Sequence, residues 1–254
     1  MAGVSSVNGS DMYGKIASGN RINQASDDPS GLVISQKMEE QVGGLNQGTE
    51  NAKEGIGVLN ISDGALGQIT DSLQRIYELS VKASNSFMYT PQDLASMQDE
   101  IGSLLNGIED IAKGTEYNTM KVLDGNMADM DLATNPDGTG MSIKMANATL
   151  EALGIDGYDV TGDFDINRIT DAIDKVSAQR SELGAATNAL EYAVNQNSLT
   201  AENTLSAKSS LADLDIAKAV SEQKKNKVLD EYQLMMQRQQ MKDEEEKTKG
   251  IFNF

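Results

Sequence analysis

The amino-acid sequence predicts a mainly α-helical fold, a long antiparallel helical bundle or coiled coil with a small β-hairpin insert. Apolar residues recur at a spacing of seven through two long blocks, the pattern of helices that share a seam. Aromatic residues make up only 4% of the chain and Trp is absent, which favours thin helical layers over a thick core. Helical periodicity is lost between residues 117 and 162, where the insert is expected.

The first helical block is predicted from Gly31 to about Ser84. Its interior contains seven glycines, each of which costs about 1 kcal/mol of helix propensity relative to Ala. Small residues let neighbouring helices approach closely, so the glycines predict close packing in a bundle or an assembly. The seam residues are Leu45, Ala52, Leu59, Leu66 and Leu73, and the glycines are Gly43, Gly44, Gly48, Gly55, Gly57, Gly64 and Gly67.

A second helix is predicted to begin after Thr90. Thr90 suits an N-cap, Pro91 the first helical position and Asp93 the third. The helix should end near Gly114 and pair antiparallel with the first block. Its apolar face comprises Leu94, Met97, Ile101, Leu104, Leu105, Ile108 and Ile111.

The irregular middle contains one pattern typical of strands. Met141, Ile143 and Met145 alternate with polar residues, and the sequence Asn-Pro-Asp-Gly at 135–138 is typical of a β-turn. The sequence therefore predicts a short β-hairpin here.

A third helical block is predicted to run from about Asn167 to about Lys249. Asn197 interrupts its seam, as expected where a seam also contacts other chains or surfaces. The block is long enough to lie along the whole first helix, so we expect the two to pair antiparallel. The seam consists of Ile169, Val176, Leu183, Leu190, Thr204 and Leu211.

Beyond Val220 apolar residues lie almost all round the predicted helix, and an acidic run follows from Asp243 to Glu246. Two interpretations fit this pattern. One is a frayed amphipathic tail. The other is an oligomerisation helix that orders on assembly, because Met adapts to several surfaces and coupled folding needs a partner. The apolar residues are Val228, Leu229, Tyr232, Leu234, Met235, Met236 and Met241.

Composition argues against an enzyme. The chain has no His and no Cys, so the commonest general base, the thiolate nucleophile and the usual metal ligands are missing. We expect no catalytic residues, no metal site and no cofactor. Asp27 and Asp28 precede Pro29 and are predicted to serve a turn or a helix cap rather than acid–base chemistry. A formal charge of −18 disfavours nucleic acid and membrane as partners.

Four stretches resemble the bacterial flagellin family, in the order in which that family carries them. The stretch RINQASDDPSGL at residues 21–32 is similar to the family segment that links the terminal helices to the first outer domain. The resemblance covers residues 15–125 and 166–229 and leaves only the middle insert unmatched. The other matching stretches are Leu73-Gln74-Arg75 with Glu78-Leu79, then residues 117–125, then residues 179–185 leading to Asn188, Leu190, Glu202 and Asn203.

The resemblance implies a structural subunit that self-assembles into the bacterial flagellar filament for motility. Such a subunit is secreted through the flagellar type III apparatus, without a cleaved signal peptide, and forms a helical homopolymer. The implied partners are an export chaperone, the filament cap and hook-junction proteins. Both termini would build the filament core. The residues expected to serve the hinge and self-assembly are Arg21, Asn23, Asp27, Asp28, Val228, Tyr232, Met235 and Met236.

The family is also sensed by a host Toll-like receptor, and the resemblance extends to the positions involved. An exposed Arg flanked by apolar residues is the type of group that anchors an interface. In the alternative interpretation, Leu73 lies in the helical seam and Arg75 merely faces water, and spacing does not separate the two. The matching positions are Leu73, Gln74, Arg75, Leu79 and Glu100.

The chain also departs from the family pattern. It begins nearer the hinge than typical flagellins, so we expect a reduced N-terminal core helix and a core built mainly from C-terminal helices. Ser210 stands where the family usually has Arg, and the tail is more charged than usual. The expected segments are an N-terminal segment with hinge, a helical arm, a β-containing insert, a second helical arm and a C-terminal core helix, at residues 1–30, 31–125, 126–165, 166–219 and 220–254.

Two other functions fit parts of the sequence. A hook–filament junction protein shares the end-domain architecture and differs in abundance in sheared flagella. A soluble coiled-coil adaptor needs only the heptads and would form a discrete oligomer at every concentration instead of long filaments.

Overall fold

The computed structural model describes residues 12–85 and 87–251, with side chains described through residue 246. It confirms the predicted class, since long helices dominate and two small antiparallel hairpins interrupt them. Residues 12–18 are helical. The helices are α1 (Pro29–Ala83), α2 (Pro91–Gly114), α3 (Leu150–Leu153), α4 (Asn167–Ala212) and α5 (Ile216–Ile251), and the strands are β1 (Glu116–Tyr117), β2 (Met120–Lys121), β3 (Asp129–Ala133) and β4 (Gly140–Lys144).

The chain divides into two compact units. Residues 12–40 and 203–251 belong to one, which we call the terminal unit, and Gln41–Glu202 form the other, the central unit. The five segments expected from the sequence stay a prediction.

The central unit has its core between α1, α2 and α4. The seam predicted for the first helix is confirmed, because all five of its residues are buried, from Leu45 at 5% exposed to Leu73 at 0%. Full burial of a Leu or Ile side chain stabilises a fold by about 1.5–3 kcal/mol. The partners come from α2 and α4: Met97, Ile101, Leu105, Ile108, Ala112, Ile169, Ala172, Val176, Leu183 and Leu190.

Contacts between the helices of the central unit fix their directions. Arg75 of α1 pairs with Glu100 of α2, and residues 60–68 share an open groove with residues 111–115, so α1 and α2 run antiparallel. Asp63 pairs with Arg180, at 2.8 Å between Oδ1 and Nε. Asn51 of α1 and Asn197 of α4 donate to adjacent backbone carbonyls, so α1 and α4 are antiparallel as well.

The predicted start of α2 is confirmed in detail. The Thr90 hydroxyl accepts a hydrogen bond from Asp93 N at 3.3 Å, and Thr90 N donates to the Asp93 carboxylate at 2.9 Å. This reciprocal pair is a capping box, which satisfies two amide groups that the helix itself leaves free. Pro91 occupies the first turn and the helix ends at Gly114, as expected.

The predicted β-hairpin is confirmed as β3 and β4. The strands pair antiparallel with Met130 opposite Ile143, and the turn between them contains Gly138 at φ +81°. Ile143 and Met145 are buried while Lys144 is exposed, which matches the predicted alternation. A second hairpin, β1 and β2, was not predicted.

Three of the α1 glycines make room for the β3–β4 hairpin, and two of these also face the neighbouring helix α4, since a Cβ on Gly48 or Gly55 would lie 3.2 Å from Asn197 or Leu190. A Cβ on Gly44 would lie 2.7 Å from Pro136, and a Cβ on Gly48 would collide with the Thr134 carbonyl. A Cβ on Gly55 would collide with the Leu132 side chain. By contrast, a Cβ on Gly43, Gly57, Gly64 or Gly67 meets nothing within 4 Å in the described part of the chain.

Side chains from α2 and α4 hold the rest of the insert through its backbone. Gln98 donates to Tyr158 O at 3.0 Å and accepts from Val160 N at 2.9 Å. Arg168 donates to Gly154 O, and Lys175 donates to the preceding carbonyls. These hydrogen bonds satisfy backbone carbonyl and amide groups that lose their hydrogen bonds to water on burial.

The third helical block is helical as predicted, and it consists of two helices, α4 and α5. Residues 213–215 leave the helical conformation between α4 and α5. Backbone bonds within the terminal unit explain the break, because Asn20 and Asp213 form an antiparallel bridge there.

Candidate functional site

The hinge stretch, residues 21–31, is organised in the terminal unit around the Asp27 carboxylate. Lys15 Nζ lies 2.7 Å from Asp27 Oδ1, and the amides of Asn23 and Gln24 donate to Oδ2 at 3.0 and 3.2 Å. The Lys15 ammonium and then the Asn23 amide lower the pKa of Asp27 below its ordinary value. Asn23 and Asp27, both predicted for this segment, are thus brought together.

Asp28 caps the first turn of α1. Its Oδ1 accepts from Gly31 N and from the Ser30 hydroxyl, each at 2.9 Å, while Pro29 takes the first helical position. These two donors, the Gly31 amide first, lower the pKa of Asp28. A Cβ on Gly31 would meet the Asp28 carboxylate and, at 2.7 Å, Ile22 Cδ1, so a larger residue here would have to displace the capping side chain.

Arg21 joins the hinge stretch to the end of α4. Its guanidinium donates to Leu211 O at 2.6 Å and its amide to Ala212 O at 2.7 Å. In return, Leu214 N donates to Gly19 O at 2.9 Å. A cation at the carbonyl end of a helix is favourable for the helix dipole and for the free carbonyls.

Sequence reasoning missed the residues that stop α4 and start α5. The Ser209 hydroxyl donates to the Asp213 carboxylate, and Asp215 Oδ1 accepts from Lys218 N at 3.0 Å as the N-cap of α5. An Asp directly before an apolar helical pattern is a helix-start signal, so Asp215 could have been recognised.

The predicted self-assembly residues lie on α5 and are strongly exposed. Among the described side chains of α5, only Ala219 is buried. The exposed fractions are 63% for Val228, 59% for Tyr232, 63% for Met235 and 45% for Met236. These residues therefore form an apolar surface of the terminal unit.

The positions matched to receptor binding separate into two groups. Leu73 and Leu79 are 0% and 4% exposed, so their side chains belong to the core of the central unit. Gln74, Arg75 and Glu100 are exposed. Only these three present side chains to a partner, and the receptor contact itself stays a prediction.

Arg75 is held in place by two carboxylates. Its Nε lies 2.8 Å from Glu100 on α2, and its Nη1 lies 3.1 Å from Glu78 one turn away on α1. The hydrogen bond to Glu100, followed by that to Glu78, raises the pKa of Arg75 above its ordinary value. The guanidinium is thus a fixed cation on the surface of the central unit.

Other kinds of site were also sought in the described residues. Within residues 12–85 and 87–251, no group of three or more His, Cys, Asp or Glu is arranged to hold a metal ion. Over the same residues, no helix combines the length and the apolar character needed to span a bilayer.

Long helices, a small β insert and an exposed apolar terminal helix define a helical structural protein. Family comparisons give the class a name. The profile of the bacterial flagellin N-terminal helical region matches residues 4–128, and that of the C-terminal helical region matches residues 166–244. The chain belongs to the bacterial flagellin family, which is a family of filament proteins and not of enzymes.

Individual relatives agree with this assignment. A flagellin of Bacillus subtilis is 34% identical over 253 residues, covering 85% of this chain and 83% of that protein. The flagellar filament 31.3 kDa core protein of Treponema maltophilum is 34% identical over 237 residues, covering 85% and 82%. The matched lengths include more than four fifths of each relative.

Solved structures support the fold. Bacillus cereus flagellin superposes with a TM-score of 0.52 at 24% identity, over 58% of this chain and 88% of that one. A Vibrio parahaemolyticus protein described as hook-associated gives a TM-score of 0.62 at 16% identity, over 74% and 100%. Because both kinds of protein share the fold, the fold alone does not separate filament from hook-associated roles.

Proposed function

We propose that this chain is a subunit that polymerises into a bacterial flagellar filament and serves motility. The observation that carries the proposal is the exposed apolar surface of α5. Exposure of apolar surface to water is unfavourable in free energy. Burial of that surface against identical copies stabilises an assembly in proportion to the area covered. Together with membership of the flagellin family, this surface favours self-assembly over a frayed tail.

The hinge residues have a distinct role in the proposal. Arg21 holds the hinge stretch against the end of α4 within the terminal unit, while Asn23, Asp27 and Asp28 hold residues 15–31 together. This network preorganises the terminal unit before polymerisation, which lowers the entropy lost when a subunit docks.

Family membership also motivates the location and the remaining partners. We propose export by the flagellar type III apparatus and residence in the filament outside the cell. An export chaperone, the filament cap and the hook-junction proteins are the partners expected on that route.

Seeded polymerisation tests the function directly. Purified protein should form long filaments in electron micrographs after addition of filament seeds or salt. Met235→Glu should abolish growth, because it places a charge within the apolar surface of α5. Gln237→Glu adds the same charge about 200° around the helix and should leave growth nearly intact.

Several outcomes would contradict the proposal. A rigid monomer that never polymerises, or growth unaffected by Met235→Glu, would remove the role assigned to α5. A discrete oligomer with no seeded growth would favour the coiled-coil adaptor. Low abundance in sheared flagella would favour the hook–filament junction protein.

The fixed guanidinium of Arg75 favours a second role, as a ligand of a flagellin-sensing Toll-like receptor. Gln74, Arg75 and Glu100 would form the contact, since they are the matched positions with exposed side chains. Arg75→Ala should weaken receptor binding at least about tenfold, the size expected of an interface anchor. Helix content should not change, because exposed ion pairs contribute little to stability.

Lys53→Ala is the matched control for Arg75→Ala. Lys53 is also an exposed cation on α1, paired with Glu50 at 3.2 Å, and its loss changes the net charge equally. Equal effects of the two variants on receptor affinity would show a general charge effect and remove the assignment.

A further inference from the structure

Methionine side chains account for much of the exposed apolar surface of α5. The chain contains no Cys, so thioethers are its only sulfur groups. Five of the methionines that the structure describes are exposed, and three of these lie on α5: Met235 at 63%, Met236 at 45% and Met241 at 63%. By contrast, Met97 and Met145 of the central unit are each 8% exposed. An oxidant in solution therefore reaches the α5 thioethers before those of the core.

The three methionines point in different directions around α5. At about 100° per residue, Met235 and Met236 are about 100° apart, and Met241 lies about 120° from the first and about 140° from the second. Tyr232 falls between Met235 and Met236. Leu234 falls beside Met241, about 20° away. A contact that covers half of the circumference of this segment therefore contains at least one thioether, whichever side of α5 it covers.

We propose that Met235, Met236 and Met241 form a reversible oxidation site, and that oxidation there prevents the subunit from joining a filament. The oxidant is a peroxide. Hydrogen peroxide transfers one oxygen atom to the thioether sulfur, so that the O–O bond breaks, a sulfoxide forms and water is released. The sulfur loses two electrons and the peroxide gains them. Methionine sulfoxide reductases reverse the change with electrons from thiols.

Oxidation changes the surface of α5 from apolar to polar. The sulfoxide oxygen accepts hydrogen bonds, which water supplies in the free subunit. An apolar contact with a neighbouring copy supplies no donor, and an acceptor buried without a partner is unfavourable. Each oxidised thioether inside a contact should therefore weaken docking about tenfold. This effect on assembly rests on the proposed function, whereas the preferential oxidation of α5 does not.

Peptide mass spectrometry of the full-length protein after brief treatment with hydrogen peroxide tests the site. Peptides that contain Met235, Met236 and Met241 should gain oxygen at least about tenfold faster than those that contain Met97 and Met145, because access to the sulfur limits the reaction. Filaments grown from untreated protein should protect the α5 peptides. Equal rates for α5 and core peptides, or no protection in filaments, would overturn the site.

Growth on filament seeds tests the consequence. Protein oxidised on α5 should need a subunit concentration at least about tenfold higher for growth than untreated protein. Treatment with methionine sulfoxide reductases A and B should restore the untreated value, and both enzymes are needed because each reduces one epimer of the sulfoxide. Growth that stays lost after the α5 peptides have returned to their original mass would overturn the assignment.

Two variants locate the effect. Met235→Leu/Met236→Leu/Met241→Leu keeps three apolar side chains and removes the sulfur atoms, so peroxide should leave its growth unchanged. Met88→Leu/Met120→Leu is the matched control, because it removes the two exposed methionines of the central unit. Its growth should be inhibited by peroxide as in wild type. Inhibition that persists in the α5 variant, or that disappears in the control, would overturn the role of α5. Should the α5 variant not grow before treatment, repair of the oxidised wild type decides.

The outcomes separate this inference from the proposed function. Untreated wild type that never grows on seeds would remove the filament role and the effect on assembly together, while the oxidation rates of the peptides still decide the site. Growth of fully oxidised protein at the untreated concentration would overturn the inference alone.

Discussion

Asp27 and Asp28 show how two neighbouring acids acquire separate tasks. The Asp27 carboxylate binds one ammonium group and accepts from two amides, whereas Asp28 caps α1. Sequence analysis predicted a turn or cap for both residues, and the hydrogen bonds confirm it. Their spacing before Pro29 carried that prediction, since capping chemistry is local.

Acid should weaken the hinge. The folded-state pKa of Asp28 lies below its unfolded value of about 3.9, so its contribution to stability is present above that pH and is lost as the pH falls through the folded pKa. Asp28→Asn retains a capping side chain but does not ionise. As the pH is lowered from about 5 to about 2, the thermal midpoint of wild type minus that of Asp28→Asn should therefore decrease.

Circular dichroism melts measure this difference. Asp163→Asn, at an exposed aspartate, is the control. A difference for Asp28→Asn that stays flat over this range would contradict the link between ionisation and the cap.

Asn197 marks a limit of sequence reasoning. Its interruption of the α4 seam was interpreted as a contact with other chains or surfaces, and the structure shows a buried side chain that donates to Thr134 O at 2.7 Å. The acceptor lies 63 residues away on the β insert. No local pattern encodes such a contact, and the same holds for Arg21 and the Leu211 carbonyl, 190 residues apart.

At the scale of elements, the α1 glycines divide by what lies opposite them. Gly48→Ala should lower the free energy of unfolding by about 1–3 kcal/mol, because the new methyl group would displace the Thr134 backbone. Gly57→Ala should raise it by up to about 1 kcal/mol, because helix propensity improves and no described atom lies within 4 Å of the new Cβ.

Urea titrations of the two variants measure both changes against wild type. The two substitutions are chemically identical and lie in the same helix, so propensity cancels in the comparison. Effects of the same sign would show that contact with the hairpin does not govern these positions.

Helices and their caps were largely predictable, whereas one break and one hairpin were not. Heptad spacing and the Thr90 box identified α1 and α2 because these signals are local. The break between α4 and α5 was not predicted because Thr204 and Leu211 keep the seven-residue spacing of the seam up to the break. The β1–β2 turn was not predicted because it places Thr119 at φ 67°, a left-handed conformation that is uncommon for a β-branched residue.

At the scale of the whole molecule, the two units differ in how they bury apolar residues. The central unit contains the hydrophobic core, while the described side chains of α5 are almost all exposed. Hydrogen exchange should therefore be slow for the α1, α2 and α4 core amides and fast for residues 221–246 in the free protein. Polymerisation should slow exchange in residues 221–246 and leave the core rates unchanged.

Mass spectrometry of pepsin fragments before and after seeding gives this measurement. The central unit serves as the internal control. Unchanged exchange of residues 221–246 in filaments would contradict a structural role for α5 in the polymer.

Tyr158 gives the chain a built-in optical reporter. It is 1% exposed, its hydroxyl donates to Ser80 at 3.0 Å, and Phe164 packs edge-on against it. The other six tyrosines are partly or fully exposed, and there is no Trp to mask their signals. A near-ultraviolet spectrum should thus follow the packing around one side chain, so loss of that band at constant helicity would register loosening of the insert without any label.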